Sequence, residues 1–214
     1  MTFRGNRCVG DMPSSRVTGL NATGLRAHPT MIDSTTLSSF PSTPVDTTGL
    51  VPIEGMLPIG MRACRDGDVA WLRTLYGEVR AGELARYGLP PLSADVVDSQ
   101  FALQHNHYVT AYAGTDFFLV EYEGMPVGRF YFYRKPPLYL IVDISLRRFW
   151  QNRGIGSALL RATQYLARAD NVGLTLHVAH DNPSARRLYQ RLGFREAGHV
   201  GVHDLMHWDA VSAL

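Results

Sequence analysis

The nine residues Leu138–Leu146, LeuTyrLeuIleValAspIleSerLeu, are almost wholly apolar. They give way to the turn GlnAsnArgGlyIleGlySer, at 151–157, and then to a segment with apolar residues at helical spacing. An apolar run of this length reads as a strand buried on both faces, so the fold must supply a layer on each side of it. Leu159, Ala162, Tyr165 and Leu166 fall on one face of the helix that follows, which places Gly154 and Gly156 at a strand-to-helix turn. Glycines there let the backbone come close to a ligand. The first free amides of the helix and its positive dipole end then form an anion site, most naturally for a phosphate or pyrophosphate. The plainer alternative is a glycine turn that only joins two elements, and a lone Gly-X-Gly does not exclude it.

The rest of the chain from residue 57 alternates in period. Residues 57–65 read as a first strand, and Asp66–Asp68 offers an N-cap for a helix carrying Val69, Leu72, Leu75 and Tyr76. A second helix begins after Pro90 and Pro91 with Ser93 as its cap and Val96, Val97, Phe101 and Leu103 as its apolar residues. Two strands, 116–122 and 126–133, are joined by GluGlyMetPro, a link of hairpin length. After the apolar strand come a helix over 154–169, a strand over 174–179, a helix over 183–191 and two final strands. The pattern predicts an α/β fold, a mixed and mostly antiparallel central sheet with helices on both faces.

Before residue 57 the text changes character. About half of the first 55 residues are Ser, Thr, Gly or Pro, with no apolar period, so 1–56 reads as a disordered tail ahead of a single domain over 57–214. Arg4, Arg7, Arg16 and Arg26, with Asp11 the single acid before Met31, give it something of a transit peptide's composition without an amphipathic helix; translation starting at Met31, Met56 or Met61 is the other reading. The net charge of +2 lacks the dense basic stripe of a nucleic-acid binder, so no nucleic acid is expected. No apolar run approaches bilayer length, so neither is a membrane. Cys8 and Cys64 are too few for a disulfide framework, which favours a reducing, cytoplasmic setting.

Two known phosphate cradles fail on the turn itself. A dinucleotide fingerprint needs a third glycine at position 159, which is Leu, and a P-loop needs GlyLys followed by Ser or Thr, which is absent. The chain instead resembles the GNAT superfamily of acyl-CoA N-acyltransferases, whose pattern of Gln or Arg, two residues, Gly, one residue, Gly or Ala is met by Gln151, Gly154 and Gly156 after the buried strand. About 30 residues on, 181–194, AspAsnProSerAlaArgArgLeuTyrGlnArgLeuGlyPhe, matches that family's second piece.

The resemblance implies how the parts would work. Acetyl-CoA would be the acyl donor, gripped by Leu146, Gln151, Asn152, Arg153, Gly154, Ile155, Gly156 and Ser157, with Arg153 and Arg148 adding positive charge at the pyrophosphate. Asn182 would bond the pantetheine arm or a water beside it, although AsnPro also caps and starts a helix, which explains Asn182 equally well. Tyr189 would protonate the leaving thiolate; its alternative is packing with Leu188, Leu192 and Phe194. A bulge near 145–147 would free an amide for the thioester carbonyl.

Asp143 is an ionisable residue within the apolar strand and a candidate to accept the substrate ammonium or its proton; a buried salt bridge is the competing reading, and alternation sets it opposite Val142 and Ile144 unless a bulge resets the register. Glu121 and Glu123 are weaker candidates. No metal is expected: the spacings His105, His107 and His199, His203, His207 have no accompanying acid or Cys cluster, although His203 could line the acceptor pocket. The reaction implied is transfer of acetyl to a primary amine by direct attack in a ternary complex, with Cys64 not placed to form an acyl-enzyme. A competing reading is an acyl-CoA sensor whose chemistry has lapsed. Specificity is expected between about residues 77 and 112, where no motif is readable. Many such folds pair, which admits a homodimer, though no sequence feature demonstrates one.

Overall fold

The computed structural model describes residues 36–41 and 59–210. Among the described residues seven strands form one sheet in the order β1-β2-β3-β4-β5-β7-β6, where β1 is Ile59–Ala63, β2 Thr115–Tyr122, β3 Met125–Tyr133, β4 Leu138–Leu146, β5 Gly173–Ala179, β6 Arg195–Val200 and β7 His203–Trp208. Every neighbouring pair is antiparallel except β4 and β5, which are parallel because the helix α3, Ile155–Ala169, carries the chain across between them. The helices α1, Val69–Ala85, and α2, Ala94–Ala111, precede β2, and α4, Pro183–Arg191, follows β5. The mixed, mostly antiparallel sheet agrees with the sequence pattern.

The sheet divides two cores. On one side Leu159, Leu160 and Ala167 of α3 and Ala185, Leu188 and Tyr189 of α4 close over Ile141, Ile144, Leu174, Leu176 and Val178. On the other, Leu72 and Tyr76 of α1 and Phe101 and Tyr108 of α2 close over Phe117, Leu119, Tyr131 and Val142. The buried stripe of α2 is Phe101, Ala102, His105 and Tyr108. Val96 and Leu103, expected in that stripe, face solvent because the helix turns its 101, 105, 108 row to the sheet.

Residues 36–41 lie within the stretch read as a disordered tail, and here they are docked. Phe40 is buried edge-on to His105, 5.0 Å between ring centroids, and against Phe117. Its amide donates to Asp66 Oδ1 at 2.9 Å, His105 Nε2 donates to the Ser38 carbonyl at 2.6 Å, and Asn106 bonds the backbone of both Thr36 and Ser38. The rest of that tail reading lies outside the described residues.

What positions the site is a fork. The β4–β5 pairing runs from Leu138↔Gly173 to Ile141↔Leu176 and stops, so 142–146 of β4 and 177–179 of β5 diverge toward their C-terminal ends. The cause lies in β4: Tyr131 of β3 pairs Asp143 while Phe132 pairs Ile141, leaving Val142 as an extra residue. The bulge expected near 145–147 is therefore at Val142. At 145–146 the register with β3 is regular, and the strands approach so closely that a Cβ on Gly128 would lie 2.5 Å from the Ser145 carbonyl oxygen.

Candidate active site

At the open end of the fork the chain leaves β4, makes one 3-10 turn at Arg148–Trp150 and enters α3. The Gln151 side chain reaches back to donate to the Leu146 carbonyl at 2.9 Å, tying the turn to the end of the strand. Gly154 sits at the N-cap with φ 84°, a left-handed conformation that an L side chain adopts only with strain. Among the described residues no side chain caps α3, and its first closing hydrogen bond runs from the Ala158 amide to the Gly154 carbonyl. The amides of Ile155, Gly156 and Ser157 are thus left for an outside partner.

They open into a cleft of about 360 Å³ between α3 and α4. Asn152, Gly154, Gly156 and Ser157 form one wall, and Ser184, Arg187 and Arg191 of α4 form the other, with Leu146 at the inner end. Three hydrogen-bonding backbone groups at a helix N-terminus facing two guanidiniums make a site suited to a diphosphate. A second cavity of about 330 Å³ begins at the same Leu146 and runs under α1, past Val79, Gly82 and Arg86, to Arg148 and Gln151.

Deeper in, Tyr189 of α4 is buried beside Phe194, and burial, reinforced by the Asp143 carboxylate, pushes its phenol well above its usual range. The ring therefore holds its proton at neutral pH, which suits a proton donor. Asp143 is buried on the α1–α2 side, together with Val142, because the bulge resets the register. Its oxygens accept from Arg129 Nε at 3.2 Å and Nη2 at 2.9 Å, from the Tyr108 hydroxyl at 3.2 Å and from Ser145 Oγ at 2.7 Å. Arg129 is itself held by Gln104 at 2.7 Å and lies over the Tyr108 and Tyr131 rings.

Comparison with known proteins agrees with this geometry. Residues 85–194 match the model of the acetyltransferase (GNAT) family. The chain belongs to the GNAT family. It is 36% identical over 113 residues to the N-alpha-acetyltransferase RimI of Mycobacterium tuberculosis, an alignment covering 52% of this chain and 66% of that enzyme. The PaiA N-acetyltransferase of Thermoplasma acidophilum, solved in complex with coenzyme A, superposes with a TM-score of 0.56 at 14% identity, over 71% of this chain and 98% of that one. An acetyltransferase of Thermus thermophilus gives 0.55 at 19%, over 72% and 98%. At these identities the two structures speak for the fold alone.

Asn182 and Arg153 both make contacts within the chain. Asn182 is buried at the N-cap of α4, where its Oδ1 accepts from the Ala185 amide at 3.2 Å, so the capping role is realised. Arg153 turns away from the cleft: Nε donates to the Phe149 carbonyl at 2.8 Å and the guanidinium lies 4.1 Å from the Phe149 ring centroid. The guanidiniums lining the cleft are those of Arg187 and Arg191, which sequence reasoning did not single out. Their signal was Ser184, Arg187 and Arg191 at i, i+3 and i+7, one helix face, legible only once α4 is known to flank α3.

His177 was also missed. It follows Leu176, the last residue of β5 paired with β4, and faces away from Leu174, Leu176 and Val178, toward the side of the sheet that holds Asp143. Burial lowers its imidazole pKa, favouring the neutral form. Cys64, just past β1, is buried with its thiol pushed up to about 12, first by desolvation. It is no nucleophile at neutral pH. His203 is buried on β7, opposite Ala179.

Proposed function

We propose that this chain transfers an acetyl group from acetyl-CoA to a primary amine by direct attack within a ternary complex. The observation that carries the proposal is the fork: β4 and β5 part beyond Ile141 and Leu176, uncapped α3 amides stand at its mouth, and a protonated, buried tyrosine belongs to the helix that follows β5. The donor supplies a thioester whose carbonyl carbon accepts the amine. The amides of Ile155, Gly156 and Ser157, with Arg187 and Arg191, hold its pyrophosphate, and the diverging strands leave room for the arm between them.

His177 takes one proton from the incoming ammonium, the freed lone pair forms the C–N bond as the C–S bond breaks, Tyr189 gives its proton to the departing thiolate, and the second proton released by the amide nitrogen restores the Tyr189 phenol. Asp143 acts on this step through its field on Tyr189 and by holding Arg129, since donors already occupy both its oxygens. An α-amino group is the acceptor to test first, because the Mycobacterium tuberculosis relative is an N-alpha-acetyltransferase.

The test separates binding from turnover. In Tyr189→Phe, thiol release from acetyl-CoA should fall at least about 100-fold while CoA affinity stays at the parent value. In Gly156→Glu, CoA binding itself should be lost. If Tyr189→Phe turns over like the parent, the proton-donor role fails; if folded parent protein does not bind CoA, the whole reading fails and with it the lapsed-sensor alternative. For His177→Gln, the acid limb of kcat/KM, expected below about pH 6.5 in the parent, should disappear along with most of the rate.

A further inference from the structure

Beside the fork, on the far side of the turn into α4, three ionisable side chains meet a fourth, and a fifth stands behind them. Asp204 of β7 is 2% exposed. Its Oδ1 receives both His180 Nε2 at 3.0 Å, from the β5–α4 turn, and His199 Nδ1 at 2.7 Å, from β6. Its Oδ2 is taken by Arg186 of α4, whose other nitrogen donates to Glu196 Oε2 at 2.9 Å. Glu196 Oε1 in turn lies 3.4 Å from His199 Nε2, the ring nitrogen that points away from Asp204.

The ion pair with Arg186 already answers the charge of the buried carboxylate, so two half-exposed imidazoles aimed at its other oxygen are not needed for that purpose. From this we infer that His180, His199 and Asp204 form a binding site for a transition-metal cation of the zinc class. Their donor atoms lie within 4.8 Å of one another, close enough for small rotations of the two half-exposed rings to bring them onto one ion. Two imidazoles and one carboxylate select zinc, cobalt or nickel over magnesium or calcium, which take oxygen ligands.

The outer groups are arranged as such a site requires. Arg186 occupies only Oδ2 and leaves Oδ1 facing the rings, and Glu196 stands at the second nitrogen of His199, where a carboxylate orients a ligating histidine. With Asp204 and Glu196 negative and Arg186 positive, the cluster carries one net negative charge before an ion arrives. Neither His203 nor His207, which share the local spacing with His199, belongs to it. His207 Nε2 is bonded to Asp209 at 2.8 Å instead. An ion here would tie β6 and β7 to the start of the helix that carries Tyr189, stabilising that turn from outside the reaction centre.

Zinc chloride titrated into tag-free, chelator-treated full-length protein should show one saturable equivalent with a dissociation constant at or below about 10 μM, and zinc should raise the unfolding temperature. His199→Ala and His180→Ala, both at half-exposed positions that leave the core intact, should each weaken binding at least about tenfold and abolish the thermal shift, while His207→Ala should bind as the parent does. Cobalt should give a visible absorption band in the parent and not in His199→Ala. Absence of saturable binding, or binding unchanged in both histidine variants, overturns the site.

Discussion

The two faces of the sheet are built from different materials. The α3–α4 face is closed by aliphatic and aromatic side chains, and its site is made mainly of backbone: the uncapped first turn of α3 and a left-handed glycine. The α1–α2 face buries Arg129, Asp143, Glu83 and His105, and also takes in Phe40 from a segment far upstream. A site made of backbone needs only that a turn and a helix form locally. A site made of buried charges needs every partner delivered by a different element, so the second face is the one that substitutions should break most easily.

The largest effect is expected at Asp143. Asp143→Asn leaves the fully buried Arg129 without its counter-charge and should cost about 3–5 kcal/mol in urea unfolding. A loss under about 1 kcal/mol would mean Arg129 finds another partner, and the contrast between the faces would weaken. Phe40→Ala should cost less, about 1.5–3 kcal/mol, because the 36–41 segment can detach and leave only the lost burial of the ring. Limited proteolysis should then cut within that segment sooner than in the parent.

On the other face, Arg187→Ala and Arg191→Ala each remove one exposed cation from the cleft while the amides remain. CoA affinity should fall by about threefold for each, with stability unchanged, and a loss of a hundredfold would shift the weight of the site from backbone to side chains.

The smallest effect should be the pH response of the charged face. Burial lowers the His105 pKa, so the unfolded chain binds its proton first. Stability should be full above about pH 6.5 and fall as pH drops from there through the lower folded value. Urea midpoints at about pH 7.5 and about pH 5 should separate less in His105→Gln than in the parent.

How far the sequence could be read follows the same division. The helix α1, with Leu72, Leu75 and Tyr76 inward, and the glycine turn before α3 were legible because each depends on periods of a few residues. For α2 the reading chose Leu103, which is exposed, and passed over His105, whose buried place depends on Ser38 and Phe40 arriving from 67 and 65 residues away. The bulge was anticipated but not its position, since the register of β4 against β3 is a property of two strands and not of one. Arg153 was expected to add charge beside the glycine turn; its guanidinium lies over the Phe149 ring, while the cleft is lined by Arg187 and Arg191 of α4, which no short-range pattern marks.

The sequence by itself determined the order of elements, the buried strand, the uncapped helix start and the family, because hydrophobic period, glycine and short motifs act over local distances. Only the tertiary structure decided which charges meet. Arg129 with Asp143, Arg187 across from Gly156, and His180 and His199 on Asp204 are pairings between separate elements, and their partners are fixed by strand register and helix placement. A buried charge is tolerated only where such a partner arrives, and no local pattern announces from which element it will come.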